Sequence, residues 1–483
     1  MIARAAAPLF FAASTAAALV TAWLGAPLAY DGSYYLFKAL DLQTPFTPLD
    51  RRVNVVLQAP VLLASTLTSD LDVLRRVFAV PYTLLPTLAL ALAWWVCRRR
   101  RPDLFVWPVL TAGLGVLAGQ FFYTSEGPVL AAFTWPLLLG VLLGVTRVQG
   151  GVLAGVAAAL WFTHPLFVVL EGLVGVIALL RAWRATGTAA RHEKPGEMQP
   201  DGSFAPLRIT RRRGAPRGPE ERRWLALGGA ALLVAAVAKA LAPLSGYESE
   251  SLTPQRLIDS YTVAVRGWPQ IAIALSALAG LATLVQRWLP SHGPVATGTR
   301  WLPAALALGA GAALVPWARN AYTWAHMLDF RFWVWPIALA GLGVASAEWL
   351  AGERQPDAQI RAVADARGPA VVAAGLAIAV VLTLQARSWT SQVDALRQTL
   401  AQRAGQCIAI STLPSIDGSP MNHWGTTSLA FILQGRTPTT FVPEAPGCED
   451  LAADRGVRLA SFDTRPQTGG WFDLSRLRGA PPG

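Results

Sequence analysis

The chain has 483 residues, of which 53% are hydrophobic and 14% are charged. Soluble domains carry about 25% charged residues, so this composition predicts a membrane protein and excludes an ordinary soluble domain. The formal net charge is +12, but the basic residues cluster between apolar segments, as in the cytoplasmic loops of membrane proteins. This clustering differs from the basic stripe of a nucleic-acid-binding protein, and no nucleic-acid partner is expected.

The first apolar segment covers about residues 5–28 and is long enough to cross a bilayer. Only Arg4 stands before it as a basic residue, and its length exceeds that of a typical signal-peptide core. No convincing cleavage site follows it. We therefore expect this segment to be retained as a membrane anchor.

Apolar segments recur along the chain, and tryptophans such as Trp94, Trp183 and Trp349 stand at their ends, as at membrane interfaces. The pattern predicts an all-α polytopic membrane protein with about eleven transmembrane helices in a domain over residues 1–386. The predicted spans are residues 7–30, 74–97, 104–123, 128–146, 150–163, 165–183, 224–244, 270–289, 301–317, 332–350 and 369–386.

Arginine-rich loops predict one orientation of these spans. The loops cover residues 98–101, 184–223, 287–300 and 354–361. All of them fall on one side if the N-terminus is cytoplasmic, as the positive-inside rule requires. The exceptions on the outer side are Arg51, Arg52, Arg75 and Arg76.

In this orientation the first outer loop is residues 31–73, and the tail over residues 387–483 lies outside the cytoplasm. For a bacterial inner-membrane protein that compartment is the periplasm. Residues 33–40 and 53–65 mix apolar and polar residues, which predicts short interfacial helices. Residues 187–220 are rich in Gly, Pro, Arg and Glu, which predicts a disordered cytoplasmic loop.

The tail is predicted to be a small α/β domain. Helices are expected over residues 392–403 and 424–434, and strands over residues 407–410, 439–442 and 457–462. Cys407 and Cys448 both lie in this tail, where a disulfide would persist, although two separate buried thiols are the alternative. Cys97 stands at a cytoplasmic membrane edge and is expected to be free.

Two carboxylates in the outer loops are candidate catalytic residues. Asp31 directly follows the first span, and Glu126 lies in the turn between the third and fourth spans. Such a carboxylate can accept a proton from an acceptor hydroxyl, and the two together are the expected ligands if a divalent cation is used. The alternative for both is a solvated or helix-capping carboxylate.

Other polar residues of the outer face are candidate binding residues, because guanidinium and ammonium groups suit phosphate oxygens. They are Tyr34, Tyr35, His164, Lys239, Arg319, His326, Asp329 and Arg331. The arginines can instead be interface anchors, and His164 can instead bond backbone groups at a helix break. Lys239 can instead pair with Glu171, which lies in the sixth span. Asp41, Asp50, Asp70 and Asp72 are expected to be solvated.

These residues resemble the GT-C superfamily of polytopic glycosyltransferases. The resemblance rests on the acidic-then-tyrosine sequence Asp31-Gly32-Ser33-Tyr34-Tyr35-Leu36 after the first span, on Glu126 in the next outer loop and on an extracytoplasmic tail. It implies a sugar donor linked to polyprenyl phosphate and an envelope glycan, lipid or protein as acceptor. Many members have two adjacent acidic residues, whereas Gly32 follows Asp31 here.

Two other functional classes fit parts of the pattern. A transporter or flippase of envelope lipids or glycans would carry charges through the membrane centre and usually shows related halves, whereas the charges here lie near the outer face. A non-catalytic envelope assembly protein would use its tail to bind a partner. A polysaccharide polymerase or ligase is a further enzymatic alternative with a large outer loop.

Overall fold

The computed structural model of the chain describes residues 2–29, 31–48, 51–117, 126–164, 167–191, 219–242, 334–352, 357–413, 425–443 and 470–473. These residues are mostly helical, and their helices are numbered here in chain order. The helices are α1 (Ile2–Trp23), α2 (Asp31–Leu42), α3 (Val53–Ser65), α4 (Leu71–Cys97), α5 (Val106–Leu117), α6 (Glu126–Leu143), α7 (Arg147–Leu160), α8 (Phe167–Arg191), α9 (Pro219–Leu241), α10 (Val334–Gly352), α11 (Asp357–Gln402) and α12 (Thr426–Gln434).

Four of the described helices are long and apolar enough to cross a membrane. Their candidate spans are Ala5–Trp23, Leu71–Cys97, Glu220–Leu241 and Ala358–Gln402, which belong to α1, α4, α9 and α11. Among the predicted spans, 270–289 and 301–317 lie outside the described residues, and the described parts of the others overlap helices. The total of about eleven spans therefore stays a prediction.

Helices α1 and α11 pack along each other through small residues. A Cβ atom at Gly375 of α11 would lie 2.9 Å from Cδ2 of Phe10 in α1, so only glycine allows this approach. In the same way, Gly341 of α10 lies against the indole of Trp135 in α6, which is buried. Close contact through small residues is the usual means by which membrane helices associate.

Helices α8 and α9 also meet through glycines. A Cβ atom at Gly175 would lie 3.0 Å from the carbonyl oxygen of Gly229, and one at Gly229 would lie 2.9 Å from the carbonyl oxygen of Gly175. A Cβ at Gly172 would lie 3.5 Å from that of Ala236 one turn further along. The two backbones are therefore in direct contact, and α8 and α9 form an antiparallel pair.

One end of the helical bundle is held by arginines, and we call it the arginine end. Arg100 donates to the carbonyl oxygens of Leu143 and Gly144, so it caps the C-terminus of α6. Arg181 donates to the carbonyl of Val141 in the same turn and forms an ion pair of 3.3 Å with Glu221. These guanidiniums satisfy helix carbonyls that would otherwise have no partner.

A second ion-pair network lies at the arginine end. Arg367 of α11 pairs with Glu348 of α10 at 2.7 Å, and its guanidinium donates to the carbonyl oxygen of Asp103 at 3.1 Å. The Nε1–H of Trp107 donates to Glu348 at 2.5 Å. Arg101 and Asp103 form a buried bidentate pair. This network joins α10, α11 and the connection between α4 and α5.

The opposite end of the bundle carries α2, α3 and the described parts of the tail. We call it the loop end, because both predicted helices of the first outer loop are present there as α2 and α3. Asp70 caps α4 at this end, since its carboxylate accepts from the backbone N–H groups of Asp72 and Val73. The first loop and the tail therefore share one end of the bundle.

The tail differs from the prediction in its continuity with the preceding span. Helix α11 runs without a break from Asp357 to Gln402, so the predicted span and the predicted helix over residues 392–403 are one element. In the described tail, Cys407 and Phe441 form an isolated parallel bridge, with no extended strand around it. The α/β character of the tail is therefore not established, and the predicted strand over residues 457–462 lies outside the described residues.

Candidate functional site

Helix α2 has two distinct faces, and Asp31 is its first residue. Asp31, Tyr34, Tyr35 and Lys38 follow the spacing i, i+3, i+4, i+7 and share one face. Ser33, Phe37 and Asp41 share the other face. The residues that follow Asp31 therefore form two faces of α2, and each face makes its own set of contacts.

The second face of α2 is covered by the tail. The hydroxyl of Ser33 donates to the carbonyl oxygen of Gly425 at 2.7 Å. The ring of Phe37 packs on Phe431 and on Phe472, with ring centroids 5.5 Å and 4.6 Å away. All three rings are almost fully buried. This aromatic cluster anchors the first outer loop to the tail.

Asp41 ends this covered face and is buried, with 8% of its surface exposed. Burial raises the pKa of its carboxyl, although the charge of Lys38 and a hydrogen bond from the backbone of Phe472 act in the opposite direction. The expectation that Asp41 is a solvated surface residue is therefore wrong, because residues 470–473 cover it. Asp70 caps α4, and Asp72 is half exposed but ion-paired.

The first face of α2 is also well packed. Tyr34 and Tyr35 are each 3% exposed, and both rings contact Phe46 at centroid distances of 5.2 Å and 5.7 Å. The backbone of Phe46 is held by the side-chain amide of Gln58 in α3, at 2.7 Å and 3.0 Å. The tyrosines thus form a wall beside Asp31, and Asp31 itself is half-buried.

Helix α3 links this wall to the next polar cluster. Asn54 accepts a buried hydrogen bond of 3.0 Å from the hydroxyl of Tyr82 in α4. The backbone N–H of Val53 donates to the carbonyl oxygen of Phe162 at 3.4 Å. The first turn of α3 is therefore fixed between α4 and the segment that follows α7.

Four side chains from three parts of the chain meet next to Phe162, and we call them the cationic cluster. They are Arg51, Arg52, His164 and Lys239. The guanidinium of Arg52 lies over the ring of Phe162 at 5.6 Å, and the ammonium of Lys239 lies over the ring of Trp161 at 5.7 Å. Such stacking holds the two cations in place against the aromatic rings.

His164 is the uncharged member of the cationic cluster. Burial lowers the pKa of its imidazole to about 3, and the positive charges of Arg51 and Lys239 contribute to the same effect. The ring is therefore neutral at physiological pH, with one nitrogen that donates and one that accepts. A proton-accepting nitrogen among three cations is suited to orient a polar group that the cations attract.

The predicted ion pair between Glu171 and Lys239 is wrong. Helices α8 and α9 are in contact, but Lys239 lies over Trp161, whereas Glu171 is hydrogen-bonded at 2.9 Å to the hydroxyl of Thr134 in α6. Glu171 is 0% exposed and lies inside the bundle. The two helices are in contact, but the two charged side chains point in different directions from that contact.

Several predicted site residues are not placed with this group. Arg319, His326, Asp329 and Arg331 lie outside the described residues, and Glu126 is the first residue of α6. Within the described ranges, no group of three or more His, Cys, Asp or Glu side chains is arranged to hold a metal ion. The binding of a cation by Asp31 and Glu126 stays a prediction.

The cysteines fall into two classes. Cys97 is buried at the end of α4 and is free. Cys407 is disulfide-bonded, beside its bridge to Phe441. Its predicted partner, Cys448, lies outside the described residues, so the identity of the pair stays a prediction.

Sequence reasoning missed three residues of this region: Lys38, Arg51 and Arg52. Lys38 is 2% exposed and lies over the ring of Tyr34 at 5.7 Å. Arg51 and Arg52 were noted only as exceptions to the positive-inside rule. This departure from the rule indicated a functional or structural role for the two arginines, because the positive-inside rule does not explain basic residues on the outer side.

Comparison of the chain with protein-family models, curated proteins and solved structures finds no match.

Proposed function

We propose that this protein is a membrane glycosyltransferase that moves a sugar from a polyprenyl-phosphate-linked donor to a cell-envelope acceptor on the periplasmic side. One observation carries the proposal. Arg51, His164 and Lys239 converge at the same end of the bundle at which Asp31 begins α2. A cationic cluster and a carboxylate at one end of the bundle have the two chemical functions that glycosyl transfer from a lipid phosphate requires.

The cationic cluster binds the phosphate group of the donor. Guanidinium and ammonium groups form charge-assisted hydrogen bonds with phosphate oxygens, and these bonds strengthen as negative charge develops on the leaving group. Trp161 and Phe162 hold Lys239 and Arg52 by stacking. The neutral ring of His164 adds a directional hydrogen bond without adding charge.

Asp31 activates the hydroxyl group of the acceptor. As the acceptor oxygen forms a bond to the anomeric carbon, the bond from that carbon to the phosphate oxygen breaks, and its electron pair leaves with the lipid phosphate. Asp31 takes the proton of the acceptor hydroxyl as a general base. Tyr34 and Tyr35 are buried beside it, so their role is to fix the first turn of α2 against Phe46.

The proposed topology follows from the two ends of the bundle. The arginine end is rich in basic residues and is assigned to the cytoplasm by the positive-inside rule. The loop end is then periplasmic, together with the tail over residues 387–483 as a small α/β domain. About eleven spans in the bacterial inner membrane complete this proposal, with the connection between α8, which ends at Arg191, and α9, which begins at Pro219, on the cytoplasmic side.

The decisive experiment uses the purified full-length protein in lipid nanodiscs. It is supplied with a panel of radiolabelled polyprenyl-phosphate sugars and with an envelope fraction as acceptor. Asp31→Asn is expected to lower the transfer rate by about 10²-fold or more and to keep the parental thermal unfolding midpoint. Asp394→Asn, at an exposed carboxylate of α11, is the control and is expected to keep the parental rate. Transfer at the parental rate by folded Asp31→Asn would refute the assignment of Asp31.

Transport of an envelope lipid or glycan is the second candidate, and Glu171 favours it. A fully buried carboxyl inside a bundle of apolar helices is typical of ion-coupled and proton-coupled transporters. In proteoliposomes, a transporter would move a fluorescent envelope lipid between leaflets without cleaving it, and Glu171→Gln would stop this movement. A glycosyltransferase would instead consume the donor, and Glu171→Gln would not stop transfer, because Glu171 is not among the residues assigned to that reaction.

A further inference from the structure

Arg76 and Trp23 form a stacked pair where two candidate membrane spans meet. The guanidinium carbon of Arg76 lies 4.1 Å from the centre of the Trp23 ring. Trp23 is the last residue of the candidate span Ala5–Trp23, and Arg76 stands in the second turn of the candidate span Leu71–Cys97. Both residues are therefore at the loop end, at the depth of the membrane interface.

Two more guanidiniums stand behind this pair. Asp72 forms an ion pair of 2.8 Å with Arg75 of α4 and accepts a hydrogen bond of 2.8 Å from Arg397 of α11. Asp394 lies 3.7 Å from Arg397. Arg76 and Arg397 both act electrostatically on Arg75, so the three guanidiniums form one group. We call it the interfacial arginine group.

The charges of this group do not balance. Three guanidiniums face two carboxylates, Asp72 and Asp394, and both carboxylates are engaged by Arg75 and Arg397. Within the described parts of the chain, Arg76 has no carboxylate partner, and its Nε atom is buried with no hydrogen-bond partner. The group therefore has an excess of one positive charge, and that charge is at Arg76.

Trp23 indicates where a ligand would approach. Its side chain is 63% exposed, although it is a large aromatic group. An exposed tryptophan at the end of a span lies among lipid headgroups, with its ring against the acyl region and its N–H toward water. The guanidinium stacked on it is then at the level of the lipid phosphates, where a basic side chain attracts anionic lipids.

We propose that Arg76, stacked on Trp23 and supported by Arg75 and Arg397, binds the headgroup phosphate of an anionic phospholipid. The lipid is the occupant because Trp23 offers an apolar surface next to the cation, and a free phosphate ion gains nothing from such a surface. An anionic lipid is favoured over a zwitterionic one because the excess charge at Arg76 has no counter-charge. The proposal is independent of glycosyl transfer, since it concerns none of the residues assigned to that reaction.

The test measures lipid binding by native mass spectrometry of the purified full-length protein in a neutral detergent. The probes are phosphatidylglycerol, phosphatidylcholine and inorganic phosphate, each titrated separately. The parent is expected to bind phosphatidylglycerol more tightly than phosphatidylcholine, and inorganic phosphate more weakly than either. Arg76→Gln is expected to weaken the binding of phosphatidylglycerol about five-fold, the effect of one interfacial positive charge.

Two further variants make the result decisive. Arg147→Gln removes an exposed arginine at the arginine end and is expected to keep the parental affinity. Arg76→Lys keeps the charge but loses the planar stacking group, so it is expected to bind phosphatidylglycerol with an affinity between those of the parent and Arg76→Gln. It also keeps the proposal testable if Arg76→Gln fails to fold. Unchanged affinity for phosphatidylglycerol in both Arg76 variants would overturn the proposal. Equal affinities of the parent for the two lipids, or tighter binding of inorganic phosphate, would also overturn it.

Discussion

The hydroxyl of Ser33 donates a buried hydrogen bond of 2.7 Å to the carbonyl oxygen of Gly425, which lies 392 residues further along the chain. Gly425 is the N-cap residue of α12, and Ser33 is in the first turn of α2, two residues after Asp31. The position of the candidate base thus depends on a contact with the tail. Sequence distance between the two residues gives no indication of this contact.

Ser33→Ala is expected to lower the free energy of unfolding by about 1 kcal/mol, because it removes a buried hydrogen-bond donor. It is also expected to lower the transfer rate, since α2 loses a fixed point next to Asp31. Thr383→Ala is the matched control, because the hydroxyl of Thr383 is exposed and bonds only within its own helix. Chemical denaturation followed by tryptophan fluorescence measures the difference. Equal losses in the two variants would show that the contact with Gly425 contributes nothing.

The contact between α8 and α9 gives a second prediction. Gly229→Ala places a Cβ atom 2.9 Å from the carbonyl oxygen of Gly175 and 3.0 Å from Ala178, so the helices must move apart. A loss of about 1–3 kcal/mol is expected from this overpacking. Gly228→Ala, at the adjacent residue, meets nothing within 4 Å and is expected to be neutral or stabilising. A thermal unfolding midpoint for Gly229→Ala at or above that of Gly228→Ala would contradict the close contact.

A third prediction concerns the pH dependence of stability. Burial raises the pKa of the Asp41 carboxyl in the folded state. The contribution of Asp41 to the free energy of unfolding is therefore fully present below the pKa that this carboxyl has in the unfolded chain. It is lost as the pH rises through the pKa of the folded state. Asp41→Asn, which stays neutral, is therefore expected to match the parent at acid pH and to exceed it at neutral pH. Unfolding midpoints measured from acid to neutral pH would show the two curves diverging.

The control for this series is Asp394→Asn, at an exposed carboxylate of α11. It is not expected to reproduce the divergence of Asp41→Asn, because 63% of the Asp394 side chain is exposed and residues 470–473 do not bury it. If Asp41→Asn instead followed the parent at all pH values, burial of the Asp41 carboxyl under residues 470–473 would be incorrect.

The helices that were predicted well are those whose sequence pattern is local. Residues 53–65 were predicted as a helix, and α3 covers Val53–Ser65. The predicted helix over residues 424–434 is present as α12, and it ends at Gly435, whose φ of 92° favours glycine. The predicted strands around Cys407 and Phe441 meet in one bridge. The periodicity of apolar residues and a glycine after the last helical residue are both visible in the local sequence, so these helices can be predicted without knowledge of the fold.

The features that were missed depend on contacts between distant residues. The burial of Asp41 depends on residues 470–473, and the cationic cluster depends on Arg51 meeting His164 and Lys239. A local pattern contains no information about either contact. Outer-side arginines were the useful clue, since Arg51, Arg52, Arg75 and Arg76 all broke the charge rule, and all belong to one of the two clusters described above.

The unbroken helix α11 has a mechanical consequence. Its 46 residues give a rod of roughly 70 Å at 1.5 Å per residue, whereas a bilayer with its headgroups is about 40–45 Å thick. Arg367 ties this rod to α10 near one end, and near the other end the carbonyl oxygen of Leu400 accepts a hydrogen bond from Thr440. A tilt imposed on the tail would therefore be carried as a lever motion along this helix to its other end, near Arg367.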